Sequence, residues 1–150
     1  MLAEANEAEL RIATAESCTG GLIAGLLTEI PGCSSVVERG FVVYSNEAKR
    51  ELLDVPGDMI ADFGAVSEPV ARAMAEGALK NSRAHIAVSV TGIAGPDGGT
   101  PMKPVGLVHF GAARKGRSIL HEVHRFGDIG RGEVRLKCIE VALGLVRRMM

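Results

Sequence analysis

The sequence predicts an α/β fold in which a mixed sheet carries helices on both faces. Two patterns predict it. Strand-length apolar runs alternate with amphipathic helical segments through the first two thirds of the chain. Later, VGLVHFGAARK and SILHEVHRF flank Gly116 as two halves of a hairpin, which makes at least one strand antiparallel.

The elements follow in order. Residues 3–9 read as a short exposed helix, and LRIATAE (10–16) as the first strand. Residues 20–30 place Leu22, Ile23, Leu26, Leu27 and Ile30 in a helical stripe. Thr19 stands where an N-cap belongs, and Pro31 with Gly32 stops the helix. VVERGFVVYS (36–45) is a second strand, followed by a helix over 46–55 with Asn46 as its cap and a short helix over 56–63. In VSEPVARAMAEGALKNS, Ser67 caps a helix that has Glu68 in its first turn. HIAVSVTG (85–92) is a strand that runs straight into a glycine-rich loop. A last helix spans about 132–148, with Val134, Cys138, Val141 and Leu145 on one stripe. Leu136, Ile139, Leu143 and Val146 form its second apolar face, suited to covering the sheet or a neighbouring subunit, so a homo-oligomer is expected.

Composition narrows the function classes. At 150 residues, 47% hydrophobic and 23% charged, the chain suits one soluble domain with a real core. Tryptophan is absent, so Val, Ile, Leu, Ala and Met must fill that core. A formal net charge of -1 leaves no basic stripe for nucleic acid. No run resembles a signal peptide or is long enough to span a bilayer. Three cysteines without a CxxC pair form neither a disulfide framework nor a zinc site, which points to a reducing cytoplasm. The four histidines show no metal spacing, and His121 and His124, three apart on a strand, face opposite ways.

In a sheet of this kind ligands bind at the carboxyl ends of the strands. The loops after residues 16, 44 and 91 therefore share one rim. The first, AESCTGG, offers Ser17 and Cys18 as nucleophiles and the backbone N–H groups of Thr19, Gly20 and Gly21 as donors for an oxyanion or phosphate. It also reads as no more than a capped strand-to-helix turn. The second, YSNEAK, brings Tyr44, Asn46 and Lys49. An ordinary lysine is a poor base at neutral pH, but burial lowers its pKa, and a neutral Lys49 would take a proton from Ser17. The third, TGIAGPDGGTPMKPVG (91–106), holds five glycines and three prolines. It lacks the ending of a P-loop and reads as a shaped wall, with the N–H groups of Gly92, Ile93, Ala94 and Gly95 turned to a ligand, or else as a structural loop.

Taken together, TAESCTGG, GFVVYSNEAK, GAVSEP and GIAGPDGG followed by KPVG resemble the CinA C-terminal domain family from about residue 11 onward. The resemblance implies a three-layer α/β/α sandwich with a mixed, mostly parallel sheet of about five strands. It implies hydrolysis of the carboxamide of nicotinamide mononucleotide to nicotinate mononucleotide and ammonia, with no metal or organic cofactor and a small-molecule nucleotide as the only expected ligand. The family's serine nucleophile falls on Ser17, and its tyrosine and lysine on Tyr44 and Lys49. Thr19, Gly20, Gly21, Asn46 and Gly92 to Gly95 become substrate-binding candidates. The family's GDR is here spread over GDIGRGEVR, which makes Arg131 the candidate for the substrate phosphate. The segment before the first strand is shorter than the family's usual helix, and the pyrophosphatase domain of larger CinA proteins has no counterpart in these residues.

Two other readings stay open at this level. Cys18 is an alternative nucleophile, since a thiolate attacks well. A non-catalytic nucleotide-binding or regulatory module would use the same glycine-rich loops without needing Ser17, Tyr44 and Lys49.

Overall fold

The computed structural model describes residues 1–150. A central five-stranded sheet has the order β2-β1-β3-β4-β5. Its strands are β1 (Ile12–Glu16), β2 (Val37–Val42), β3 (Ile86–Gly92), β4 (Leu107–Arg114) and β5 (Leu120–Arg125). β1 pairs in parallel with β2 and β3, whereas β4 runs antiparallel to both β3 and β5. Four strands therefore share one direction, and β4 alone opposes them, as the hairpin at Gly116 requires.

The helices are α1 (Leu2–Glu7), α2 (Leu22–Glu29), α3 (Asn46–Leu53), α4 (Gly57–Phe63), α5 (Glu68–Lys80) and α6 (Arg131–Met149), with a 3₁₀ turn at Cys33–Ser35. Strand alternation divides them between the two faces. Ile12, Ile86, Val88, Val90, Val108 and Phe110 pack with α1, α2 and α6 through Ala5, Ile23, Leu27, Val134, Cys138 and Leu145. Ala13, Ala15 and Ala87 point the other way, into a core shared with Leu53, Ile60, Val70, Met74 and Ala78 of α3, α4 and α5. The result is an α/β/α sandwich whose core contains a single fully buried aromatic ring, Phe110.

Small residues set how closely the layers approach. α5 crosses the end of α3 at Gly77, where a Cβ would lie 1.9 Å from the Leu53 carbonyl oxygen. No rotamer relieves a clash with backbone, so this close approach needs glycine at position 77.

Several expected caps are corrected. α2 begins two residues later than a cap at Thr19 would start it. Its N-cap is Gly21, and Thr19 lies fully buried in the preceding loop. Gly20 and Gly21 take φ of +59° and +101°, consecutive left-handed values that favour glycine. The free N–H groups of α2 are capped from a distance. The buried Glu16 carboxylate accepts from Ile23 N at 2.9 Å and Ala24 N at 3.0 Å. A carboxylate suits the positive end of a helix, and here it binds the strand end to the helix it feeds. At α3 the cap is Ser45, whose side chain accepts from Ala48 N, and Asn46 is the first helical residue. Ser67 holds the N-cap position of α5, but its hydroxyl donates to Gly64 O instead.

On α2 only Ile23 and Leu27 of the expected stripe are buried, while Leu22, Leu26 and Ile30 are exposed. On α6, Val146 belongs to the core and Leu136 is exposed, so the expected second face is split between core and surface. No helix is long and apolar enough to cross a membrane.

Two outcomes test this packing. Gly77→Ala should lose about 3 kcal/mol or more of stability, read as a lower urea midpoint, because the added methyl meets backbone. Glu16→Ala should lose about 2–4 kcal/mol by the same measurement, since it leaves one buried and one half-buried N–H group of α2 unpaired.

Candidate active site

β1, β2 and β3 end on one rim, as expected. The chain turns from β1 to one face of the sheet, into α2, and from β2 to the other, into α3. A crevice opens between the two departures. A cavity of ≈ 260 Å³ occupies it, lined among others by Ser17, Tyr44, Asn46, Lys49, Gly92, Ile93, Ala94, Gly95 and Arg131. Three separate loops are thus brought to one place. Thr19, Gly20 and Gly21 are not part of this lining; they shape the turn behind it.

Lys49 organises the site. It lies in the first helical turn of α3, yet it is 1% exposed and ranks among the largest fully buried side chains. Its Nζ lies 3.0 Å from Ser17 Oγ, 2.9 Å from Val43 O and 3.0 Å from Tyr44 O. Burial pushes its pKa below the ordinary lysine value of 10.5. The partners fit the neutral amine. Its two N–H bonds go to the two carbonyls, which only accept, and its lone pair is left for the Ser17 hydroxyl proton.

Ser17 is 8% exposed and reaches the cavity. Its own N–H donates to Val90 O, and its carbonyl accepts from Gly20 N at 3.1 Å. The N–H groups of Cys18 and Thr19 donate to no acceptor in the protein, and the Thr19 hydroxyl is buried without a partner. Buried donors are seldom left unpaired. Two unpaired N–H donors directly follow Ser17 in the chain, Cys18 at the edge of the cavity and Thr19 behind it. This shifts the expected donor set: Gly20 N–H is occupied, and the α2 terminus is filled by Glu16.

Cys18 also borders the cavity but is turned inward, where it is 5% exposed and belongs to the core beside Cys138. The neighbouring Cys18 thiol and burial hold Cys138 above its ordinary value. Lys49 makes its hydrogen bond to Ser17, not to Cys18.

The outer wall is fastened at several points. Arg131, the first residue of α6, donates to Gly95 O at 2.8 Å and to the Tyr44 hydroxyl at 3.4 Å. The Tyr44 ring is 62% exposed, and its phenol is bonded to Arg131 rather than to Ser17 or Lys49; its link to the lysine is the backbone carbonyl. In the glycine-rich loop Ile93 N–H is taken by Leu107 O, while the N–H groups of Ala94 and Gly95 have no partner in the protein. Lys103 ties the same loop to Phe63 O at the end of α4.

Sequence reasoning missed several residues of this region. Thr91, Ala65, Val66, Asp97 and Gly98 complete the lining, and Thr91 Oγ1 fixes the 64–67 segment by donating to Ala65 O at 2.8 Å. Arg135 donates to the carbonyls of Cys18 and Thr19. A signal for it existed: Arg131 and Arg135 are four apart and so share one helix face. The histidines lie outside the cavity. His109 and His121 meet at 3.0 Å on the α5 side, and burial takes His109 down to about 4. His124 faces the other way and stacks on Phe126. No group of three or more His, Cys, Asp or Glu side chains is arranged to hold a metal ion.

Comparison with known proteins gives matches in both sequence and fold. The chain matches the CinA C-terminal domain over residues 1–150. It is 51% identical over 142 residues to a competence-damage inducible protein of Caldicellulosiruptor bescii, which covers 95% of this chain and 34% of that protein. A CinA-like protein of a Mycobacterium strain is 54% identical over 140 residues, or 93% of this chain and 33% of its own length. The chain thus spans about a third of the length of these curated relatives. The crystal structure of the competence/damage inducible protein CihA from Agrobacterium tumefaciens superposes with a TM-score of 0.98 at 52% identity, covering 99% of this chain and 90% of that one. A CinA superfamily protein from Escherichia coli gives 0.92 at 32% identity, covering 99% and 85%. With that agreement in sequence and fold, the chain belongs to the CinA C-terminal domain family.

Proposed function

We propose that this chain hydrolyses the carboxamide of nicotinamide mononucleotide to nicotinate mononucleotide and ammonia, through an acyl-enzyme on Ser17. The observation that carries the hydrolase reading is the buried Lys49 amine, 3.0 Å from Ser17 Oγ and satisfied on its other two sides by carbonyls. The choice of substrate rests on the family resemblance. It is supported by a rim that offers Arg131 to an anionic phosphate and the Ala94 and Gly95 N–H groups to a polar ligand.

In the first step Lys49 takes the Ser17 proton while Oγ bonds to the amide carbon. The Cys18 and Thr19 N–H groups receive the charge that develops on the carbonyl oxygen. The protonated Lys49 then returns its proton to the departing nitrogen, the C–N bond breaks, and ammonia leaves. Water attacks the ester by the same route, with Lys49 again as base, and releases the acid.

Ammonia release from nicotinamide mononucleotide tests this. Ser17→Ala and Lys49→Arg should each lower kcat by at least about 10³-fold in folded protein, the arginine because it cannot give up its proton. Cys18→Ala should stay within about tenfold of the parent. Full activity in the serine variant would refute the nucleophile, and loss confined to the cysteine variant would move it one residue along. Folded parent protein that binds the nucleotide without releasing ammonia would favour the regulatory-module reading.

Two further outcomes concern the flanking groups. Only the neutral amine is a base, so log kcat/KM should rise with slope one as pH increases. It should level off at the Lys49 pKa, below 10.5, and a limb at or above that value would contradict a buried base. Arg131→Ala should raise KM about tenfold or more and change kcat less, as expected for loss of a phosphate contact. A fall in kcat alone would assign Arg131 to the chemistry instead.

A further inference from the structure

We infer that Arg135 is a positioning residue for the reaction: it fixes the two peptide planes that follow the nucleophile and so aims the donors of the oxyanion hole. The inference rests on the serine-hydrolase reading above. Arg135 comes from α6, on the face of the sheet opposite Lys49. Its Nε donates to Cys18 O at 3.1 Å and its Nη2 to Thr19 O at 3.1 Å. It is not among the residues that line the cavity, so it acts on substrate only through the loop.

The geometry of the peptide unit supplies the mechanism. In a trans peptide the carbonyl and the next N–H point in opposite directions across one plane. With Cys18 O drawn toward α6, the Thr19 N–H must point away from it, and that N–H has no other partner in the protein. With Thr19 O drawn the same way, and also accepting from Leu22 N at 3.1 Å, Gly20 N–H turns back to Ser17 O. That bond closes a tight turn around the nucleophile and leaves Cys18 N–H unpaired beside Thr19 N–H. One planar guanidinium sets both carbonyls at once through its rigid fork, which a single ammonium cannot reproduce. Crowding reinforces the clamp: a Cβ on Gly20 would lie 3.4 Å from Arg135 Nη2.

The clamp is needed because little else holds these carbonyls. Ser17 is tied to Val90 O and Gly20 N–H to Ser17 O, but apart from Arg135 the Cys18 carbonyl has no donor and the Thr19 carbonyl has only Leu22 N–H. Without Arg135 the Cys18 carbonyl has no donor, and its peptide is free to rotate the Thr19 N–H out of line.

The test compares the parent with Arg135→Ala and Arg135→Lys by steady-state hydrolysis of nicotinamide mononucleotide. In parallel it follows labelling of Ser17 by a fluorophosphonate. There Oγ bonds to phosphorus, the P–F bond breaks, fluoride leaves, and Lys49 takes the proton. Folding is checked by circular dichroism and thermal unfolding. Arg135→Ala should lower kcat about 100-fold with KM within about threefold, should slow labelling in parallel, and should leave the Lys49 pH limb in place. Arg135→Lys should fall between the two, and it carries the test if the alanine variant does not fold. Folded variants whose kcat and labelling rate stay within about threefold of the parent would overturn the inference. So would a rise in KM with kcat unchanged, which would make Arg135 a substrate contact. If the parent is labelled at Ser17 but releases no ammonia, the substrate reading fails and the labelling rates alone decide the role of Arg135. A parent that is not labelled at all overturns the positioning role together with the nucleophile.

Discussion

The site depends on keeping a lysine amine out of water. Neutralising an ordinary lysine at pH 7 costs about 4–5 kcal/mol, and burying it as an ammonium without partners costs several as well. The fold limits both costs by geometry. Val43 O and Tyr44 O, consecutive carbonyls just past the end of β2, are delivered to Nζ by the turn that starts α3. Either protonation state of Lys49 is therefore satisfied, and burial lowers its pKa toward the neutral amine. A surface lysine on the same helix would remain a cation.

The strand that carries Ser17 is braced on both sides of its exit. Glu16 joins the end of β1 to the start of α2, and Thr14 Oγ1 donates to the same carboxylate at 3.1 Å. Val90 O accepts from Ser17 N and ties the nucleophile to β3. The helix dipole, often the anion site in such folds, is spent on an internal carboxylate. The N–H groups left unpaired belong to single residues in the loop, whose carbonyls are gripped by Arg135 of α6. Ser17 is therefore held in place by residues outside the cavity lining.

Much of this was legible before the structure. Periodicity located every strand and helix to within a few residues, because each face of the sheet has its own apolar partner. The shared rim of the three loops followed from strand direction alone. What was not legible depended on atoms distant in the chain. Thr19 and Asn46 look like caps locally, yet Glu16, seven residues before Ile23, takes the first role and Ser45 the second. Arg135 clamps residues more than a hundred positions earlier. The burial of Lys49 was hidden as well. In NEAKRELL it has the polar neighbours of a solvated face, and only the packing of α3 against α5 and the strand ends covers it.

Strand parity separates the two candidate nucleophiles. Along β1 the side chains alternate: Ile12, Thr14 and Glu16 face α2 and α6, while Ala13 and Ala15 face α3 and α5. The alternation continues one step past the strand. Ser17 falls on the side of Ala13 and Ala15, where α3 supplies Lys49, and Cys18 falls on the side of Ile12, where α6 supplies Cys138. A sulfur at position 18 is therefore aimed away from the base, however good a nucleophile its thiolate would be. The cysteine instead packs the floor beneath the turn, and the serine above it has the proton acceptor. A one-residue slip of β1 would exchange these positions and bury Ala13 and Ala15 against the wrong helices, so the packing of the sheet and the placement of Ser17 beside Lys49 are fixed by the same register.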